Sequence, residues 1–234
     1  MNRLVSKVLN LAAAAATLLG GAAAIAQVPA AGSAMGVDAA FLKLFGAVTT
    51  FTARADTQVF DETQKETVRM PIQWAALDSK VRLEVDLEQM TSKDMSPSTL
   101  ASLKQAGMTR IVSVFRPDKQ CTFVIYPGVQ SYLSIPLAKG ESEALEKALK
   151  VERTPAGNET IDGHACVKNK VIVRGEKGAA LEAVTWNAAD LKDFPVQIEM
   201  KAKQSTVRIR FTQVKLVSVD SKQFELPTNY GQMK

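Results

Sequence analysis

Val81-Arg-Leu-Glu-Val-Asp-Leu-Glu88 sets four apolar side chains at one parity and four charged ones at the other. Successive side chains of an extended chain point to opposite faces, so this octet reads as a strand with one dry and one wet face. No helix could separate the two sets in that way. Leu77-Asp-Ser-Lys80, just before it, supplies a hairpin turn. The same alternation precedes the turn. Val68, Met70, Ile72, Trp74 and Ala76 oppose Arg69, Pro71, Gln73 and Ala75, and before them Phe51, Ala53, Ala55 and Val59 oppose Thr52, Arg54, Asp56 and Gln58.

Downstream the period changes once. In residues 95–108 Ser96 stands as a cap, Pro97 takes the first helical position and Gly107 closes, with Leu100, Leu103 and Met108 as an apolar stripe. Strands are expected over 110–116, 121–126 and 131–135, punctuated by Pro117-Asp118 and Pro127-Gly128. A helix is expected over 141–150, acids first and lysines last, with Ala144, Leu145, Ala148 and Leu149 as its stripe. The remainder reads as strand again. Residues 159–174 form two short strands or one bent one, and strands follow over 180–186, 196–202 and 207–212. A further strand is expected over 214–219, and Phe224-Glu-Leu-Pro227 closes the chain. Residues 39–47 form a short helix capped by Asp38.

About ten strands and two or three short helices make a mainly β (α+β) chain. One wet face per strand implies an antiparallel sheet, and a sheet this wide must curl to bury the other face and its edges. The helices are too few to cover such a sheet flat and would plug or lid the mouth of an unclosed barrel. No linker or fixed-period repeat interrupts residues 39–234, so one domain is expected.

Residues 1–26 have the three parts of a cleaved signal peptide: Arg3 and Lys7, an apolar run over 9–19, and Ala24-Ile-Ala26. Residues 27–38 are small and read as a flexible leader. Residues 1–26 hold two bases and no acids, so the formal charge of +5 falls to +3 without them. That balance gives no nucleic-acid footprint. With 46% hydrophobic residues there is enough apolar material for a core. No later run of about 18 apolar residues occurs, so a soluble chain in a bacterial periplasm or outside the cell is expected.

Little in the sequence supports catalysis. His164 is the sole histidine, and no Gly-x-Ser-x-Gly, P-loop or Gly-x-Gly-x-x-Gly run occurs. Asp162, His164 and Cys166 would share a strand face and could converge on a metal, but so short a cluster is weak, and no metal or cofactor is expected. Cys121 and Cys166, the only cysteines, read as a disulfide in an oxidising compartment, worth about 3–4 kcal/mol for a loop of about 45 residues. Two buried thiols are the alternative. Lys201, Lys203, Arg208 and Arg210 lie on the outward face of one hairpin. They form either a solvated face that guards an edge or a docking patch for an acidic partner or anionic head groups.

The order of elements, with Arg116-Pro-Asp-Lys119, Tyr126-Pro-Gly128 and Tyr132, Ile161-Asp-Gly-His-Ala-Cys166, Val184-Thr-Trp186 with Asp190-Leu191, and Phe224-Glu-Leu-Pro227, resembles a known superfamily. It is that of periplasmic lipoprotein carriers and outer-membrane lipoprotein receptors (LolA/LolB-like), and within it most closely a secreted, uncharacterised branch. The resemblance spans roughly residues 40–230. It implies an unclosed antiparallel barrel around a helical lid, with an apolar cavity for acyl chains. It assigns no lid-holding arginine to any position here, and Gln27 stands where a lipid-anchored receptor would carry cysteine.

On this basis the chain is expected to be a monomeric, non-enzymatic periplasmic carrier or sensor of lipid acyl chains or a lipidated partner. Val85, Leu87, Phe123, Ile125, Leu133, Trp186, Ile198, Met200, Ile209 and Phe211 would line the cavity, and Leu100, Leu103, Leu145 and Leu149 would face it from the lid. The alternative is a filled barrel serving as an interaction module of the envelope, docking through the basic hairpin on an envelope protein.

Overall fold

A computed structural model describes residues 39–137, 149–175, 178–201 and 204–233. The expected signal peptide and leader, most of the expected helix over 141–150 with Leu145, and Lys203 lie outside these residues. A short helix α1 (Ala39–Leu42) runs into a 3-10 turn (Lys43–Phe45). Three strands follow, β1 (Thr50–Asp61), β2 (Glu66–Leu77) and β3 (Lys80–Asp86), then a short β4 (Thr91–Ser92) and helix α2 (Pro97–Gln105). The chain continues through β5 (Arg110–Arg116), β6 (Cys121–Tyr126), β7 (Ser131–Pro136), β8 (Lys150–Ile161), β9 (His164–Gly175), β10 (Gly178–Ala188), β11 (Phe194–Lys201), β12 (Ser205–Lys215) and β13 (Gly231–Gln232).

All thirteen strands join one sheet in the order β13-β7-β6-β5-β3-β2-β1-β12-β11-β10-β9-β8, with β4 beside β2. Pairing is antiparallel except where β13 runs parallel to β7. The end strands do not pair with each other, so the barrel is unclosed. Laid flat, twelve strands would span roughly 50 Å. Buried residues from β6 at one end to β9 at the other nevertheless form one continuous cluster on one face, which requires the sheet to curl around it.

Local chemistry explains the joints. Asp78 takes a left-handed conformation in the β2–β3 turn. Pro117 and Pro127 each open a 3-10 turn closed by a left-handed glutamine, Gln120 and Gln130, because proline pre-sets the backbone angle of the first turn position. Ser96 Oγ accepts from the Thr99 amide at 3.1 Å and caps α2. Gly107, at φ +70°, ends that helical segment against Gly128, and a Cβ on Gly128 would collide with the Gly107 carbonyl.

Three expectations need correction. Lys150 does not end a helix but opens β8, a long edge strand that forms a hairpin with β9 through Asp162-Gly163. Residues 154–160 of it are exposed and include Pro155, which an edge strand tolerates beside a bulge. No strand spans 214–219. The chain leaves the sheet after Lys215 and passes as a strap, through a 3-10 turn (Ser221–Phe224), across the other face. There Val219 and Phe224 pack with Ala75, Val112, Val114, Cys121, Phe123 and Ile125 in a second cluster. Lastly, Cys121 and Cys166 are free thiols rather than a disulfide. They lie on β6 and β9, far apart in the strand order, and belong to different clusters. Burial pushes both thiols above their usual titration range.

Candidate functional site

The inner face is built from the apolar parity of each strand. Cross-strand register runs Ile72–Val85–Ile111 on one side, and Thr57–Ile209–Ile198–Thr185 on the other. Directly opposed residues share a face, so Val85, Ile198, Met200, Ile209 and Phe211 come together there, with Leu87 just beyond β3. All six are buried. Leu133, on β7 opposite Val124, packs against the same cluster but is only half-buried.

One end of this interior is filled. Phe41 and Phe45, brought in by α1 and its 3-10 turn, pack with Phe51, Trp74, Phe194 and Phe211 in ring contacts of 4.9–6.3 Å between centroids. The edges differ from this filled end. Leu133, Ile135 and Leu137 on one side, and Leu149 and Val151 on the other, are half-buried apolar residues flanking the open seam. Beside α1 lies a cavity of about 520 Å³ lined in part by Leu42, Phe45, Val48, Phe51 and Ala76.

Three polar atoms within this apolar interior are buried without a hydrogen-bond partner: Thr57 Oγ1, Trp74 Nε1 and Thr122 Oγ1. Thr57 stands between Met70 and Ile209, Trp74 opposite Leu83, and Thr122 opposite Phe115, all on the inner face. Orphans of this kind are uncommon in folded proteins and call for an explanation.

Two residues expected to line the interior do not reach it. Phe123 and Ile125 point to the other face and are covered by the strap. Trp186 is buried, 5% exposed, and belongs to the main cluster, although it pairs with Gln197 beside a bulge whereas its neighbour Thr185 pairs with Ile198. Its indole N–H donates to Glu159 at 2.8 Å and the Lys168 ammonium sits 4.7 Å above the ring. β5 and β6 are buried on both faces, so their parity gave no way of telling inside from outside. Of the expected lid, Leu103 is fully buried in the main cluster and Leu100 is half-buried against it, both from α2. Leu149 touches the cluster from the start of the β8 arm rather than from a helix.

The strap is held by a residue with no site role in the sequence reading. Arg116 is 4% exposed. Its Nη1 donates to the Phe224 carbonyl at 2.8 Å and to Glu225 at 2.9 Å, and its Nε and Nη2 fork onto Asp118 at 2.8 and 2.7 Å. Lys119 donates to the other Glu225 oxygen at 2.8 Å. These bonds hold the Asp118 and Glu225 carboxyls below their ordinary range, Asp118 through Arg116 and Glu225 through Lys119 first. Two sequence motifs a hundred residues apart, Arg116-Pro-Asp-Lys119 and Phe224-Glu-Leu-Pro227, thus form one clasp.

The remaining candidates are occupied by ordinary partners. Asp162 accepts from Arg210 at 2.8 Å, His164 Nδ1 bonds Asp190 at 2.7 Å, and the Cys166 thiol donates to a backbone carbonyl. Among the described residues no group of three or more His, Cys, Asp or Glu is placed to hold a metal ion. In the basic hairpin, Arg208 pairs with Glu199 at 3.0 Å and lies over Phe60, Arg210 is the partner of Asp162, and Lys201 is exposed. No helix among the described residues is long and apolar enough to cross a membrane.

No family model matches the chain, and no curated protein matches it. Solved structures similar to it include a LolA superfamily protein from Nitrosomonas europaea, at 10% identity and TM-score 0.38 over 81% of this chain and 98% of that one. The lipoprotein LppX from Mycobacterium tuberculosis is 12% identical, with TM-score 0.41 over 76% and 93%. LprF from Mycobacterium bovis is 13% identical, with TM-score 0.36 over 83% and 94%. The first belongs to the superfamily that the sequence motifs resemble. Overlaps of this size carry no argument about activity, and the half-barrel stands on the strand order itself.

Proposed function

We propose that this protein is an exported, non-enzymatic carrier or sensor in the cell envelope that binds acyl chains, of a lipid or of a lipidated partner, on the inner face of the half-barrel. The observation that carries this reading is the seam. The inner face is largely apolar, yet the sheet stops short of closure and leaves Leu133, Ile135, Leu137, Leu149 and Val151 half-buried at its two ends. An acyl chain laid along that seam would cover them, at roughly 0.8 kcal/mol per buried CH₂. The unpartnered Thr57 and Thr122 hydroxyls support it further, as polar points that a ligand's ester or carboxyl oxygens could satisfy. The aromatic plug around Phe45 favours a second reading, a largely filled barrel acting as an interaction module.

Titration with a fluorescent fatty acid separates the two. Saturable uptake that weakens in Leu133→Lys and Val151→Glu, with folding checked by circular dichroism, supports the carrier. Absence of uptake by the wild-type chain leaves the interaction module.

A further inference from the structure

The strap and the outer face of β2, β3, β5 and β6 enclose a second space, a groove of about 600 Å³. That volume is in the range of small-molecule sites, about 300–1,000 Å³. It shares none of the residues that flank the proposed acyl seam. Its apolar surface comes from Ala75, Val112, Ile125, Pro227 and Tyr230, and its charges from Arg82, Glu84, Arg110, Lys222 and Glu225.

These charges do not balance. Arg82 Nη2 donates to Glu84 Oε2 at 2.8 Å, and Arg110 Nε donates to Oε1 of the same carboxylate at 2.6 Å. The other acid, Glu225, is taken by Arg116 and Lys119 in the clasp. Three cations therefore face one available carboxylate. Arg82 and Glu84 are 24% and 21% exposed, whereas Arg110 is 60% exposed and Lys222 is exposed, so the surplus cations are open to an incoming anion. Burial and the neighbouring Arg110 both lower the basicity of Arg82, opposed by Glu84. Guanidinium groups are matched to planar or tetrahedral oxyanions through paired N–H donors.

We propose that this outer groove binds a small anionic amphiphile. Its carboxylate or phosphate would be held by Arg82, Arg110 and Lys222, and its apolar body would lie on Val112, Ile125 and Tyr230. Anion and Glu84 compete for the same two guanidinium groups. Removing the Glu84 charge therefore strengthens binding, an effect opposite in sign to ordinary damage to a fold.

Isothermal titration calorimetry of the purified protein with phenyl phosphate, benzoate and neutral benzyl alcohol at low ionic strength tests this. Either anion should bind while benzyl alcohol does not, and the tighter of the two identifies the head-group chemistry. Glu84→Gln should tighten binding several-fold, and Arg82→Gln or Arg110→Gln should weaken it by at least about tenfold, the loss expected for a charge-assisted hydrogen bond. Binding of neither anion, unchanged affinity in folded Arg82→Gln, or weaker binding in Glu84→Gln would overturn the proposal. The last arm stands even if an arginine variant fails to fold.

Discussion

Replacing Arg116 with Met should release the C-terminal strap without emptying the core. Methionine fills most of the volume of the arginine stem, so the loss is mainly polar. The substitution removes a charge-assisted bond to the Phe224 carbonyl, which then stays buried and unpaired beside a fully buried Phe224 ring. It also removes contacts to Glu225 and Asp118, whose side chains are 51% and 44% exposed and can return to water. The buried bond counts at about 1.5–3 kcal/mol and each exposed pair at well under about 1 kcal/mol. The expected destabilisation is therefore about 3 kcal/mol, or roughly 6–12 °C in melting midpoint for a chain of this size. Urea unfolding gives the global value. Hydrogen exchange gives the local one, because the Gly231 and Met233 amides donate to Gln130 and Tyr132 at the end of the strap and should lose protection first. A loss below about 1 kcal/mol, the ordinary effect of a surface substitution, with those amides still protected, would refute the clasp. Lys119→Met, at an exposed pair, should cost only about 0.5 kcal/mol.

Other tests follow from single contacts. Asp118 and Glu225 titrate below their unfolded values, so their contribution is present above the ordinary carboxylate range and is lost as pH falls through the depressed one. Strap protection should therefore decline progressively below about pH 4, and protection unchanged down to pH 2 would contradict the pairing. Gly128→Ala drives a methyl into the Gly107 carbonyl and should cost about 2 kcal/mol by overpacking, read as a lower urea midpoint. Thr57→Val removes an unpartnered buried hydroxyl and should stabilise the ligand-free protein by about 1 kcal/mol; a loss of stability would mean that the hydroxyl has a partner. Cys121 and Cys166, buried and free, should react with a thiol reagent only after unfolding, and reductant should leave the melting midpoint unchanged. A fall of several degrees on reduction would show them bonded.

Strands with one wet face were legible from parity alone, as in β1, β2, β3 and β12. The cap and proline of α2 marked its start equally well. Parity failed where both faces are covered. In Cys121–Tyr126 every residue is buried, so nothing in the alternation could place Phe123 and Ile125 under the strap. It failed at the other extreme in residues 154–158 of β8, an exposed run at the sheet edge with no apolar alternation to read. Trp186 is buried in the main cluster as a bulky aromatic should be, but its polar partners Glu159 and Lys168 left no mark in the alternation. Arg116 gave no local signal at all. Its burial depends on a segment more than a hundred residues later, and only the joint presence of the Arg-Pro-Asp-Lys and Phe-Glu-Leu-Pro runs hinted at a connection.

Native mass spectrometry of the protein exported and purified without detergent most directly tests the claim that the seam holds acyl chains. The account predicts an added mass that fragments to an acyl-bearing lipid and is lost on solvent extraction, and that is reduced in Leu133→Lys. A chain that carries only its own mass, and takes up no fatty acid when offered it, would contradict the account.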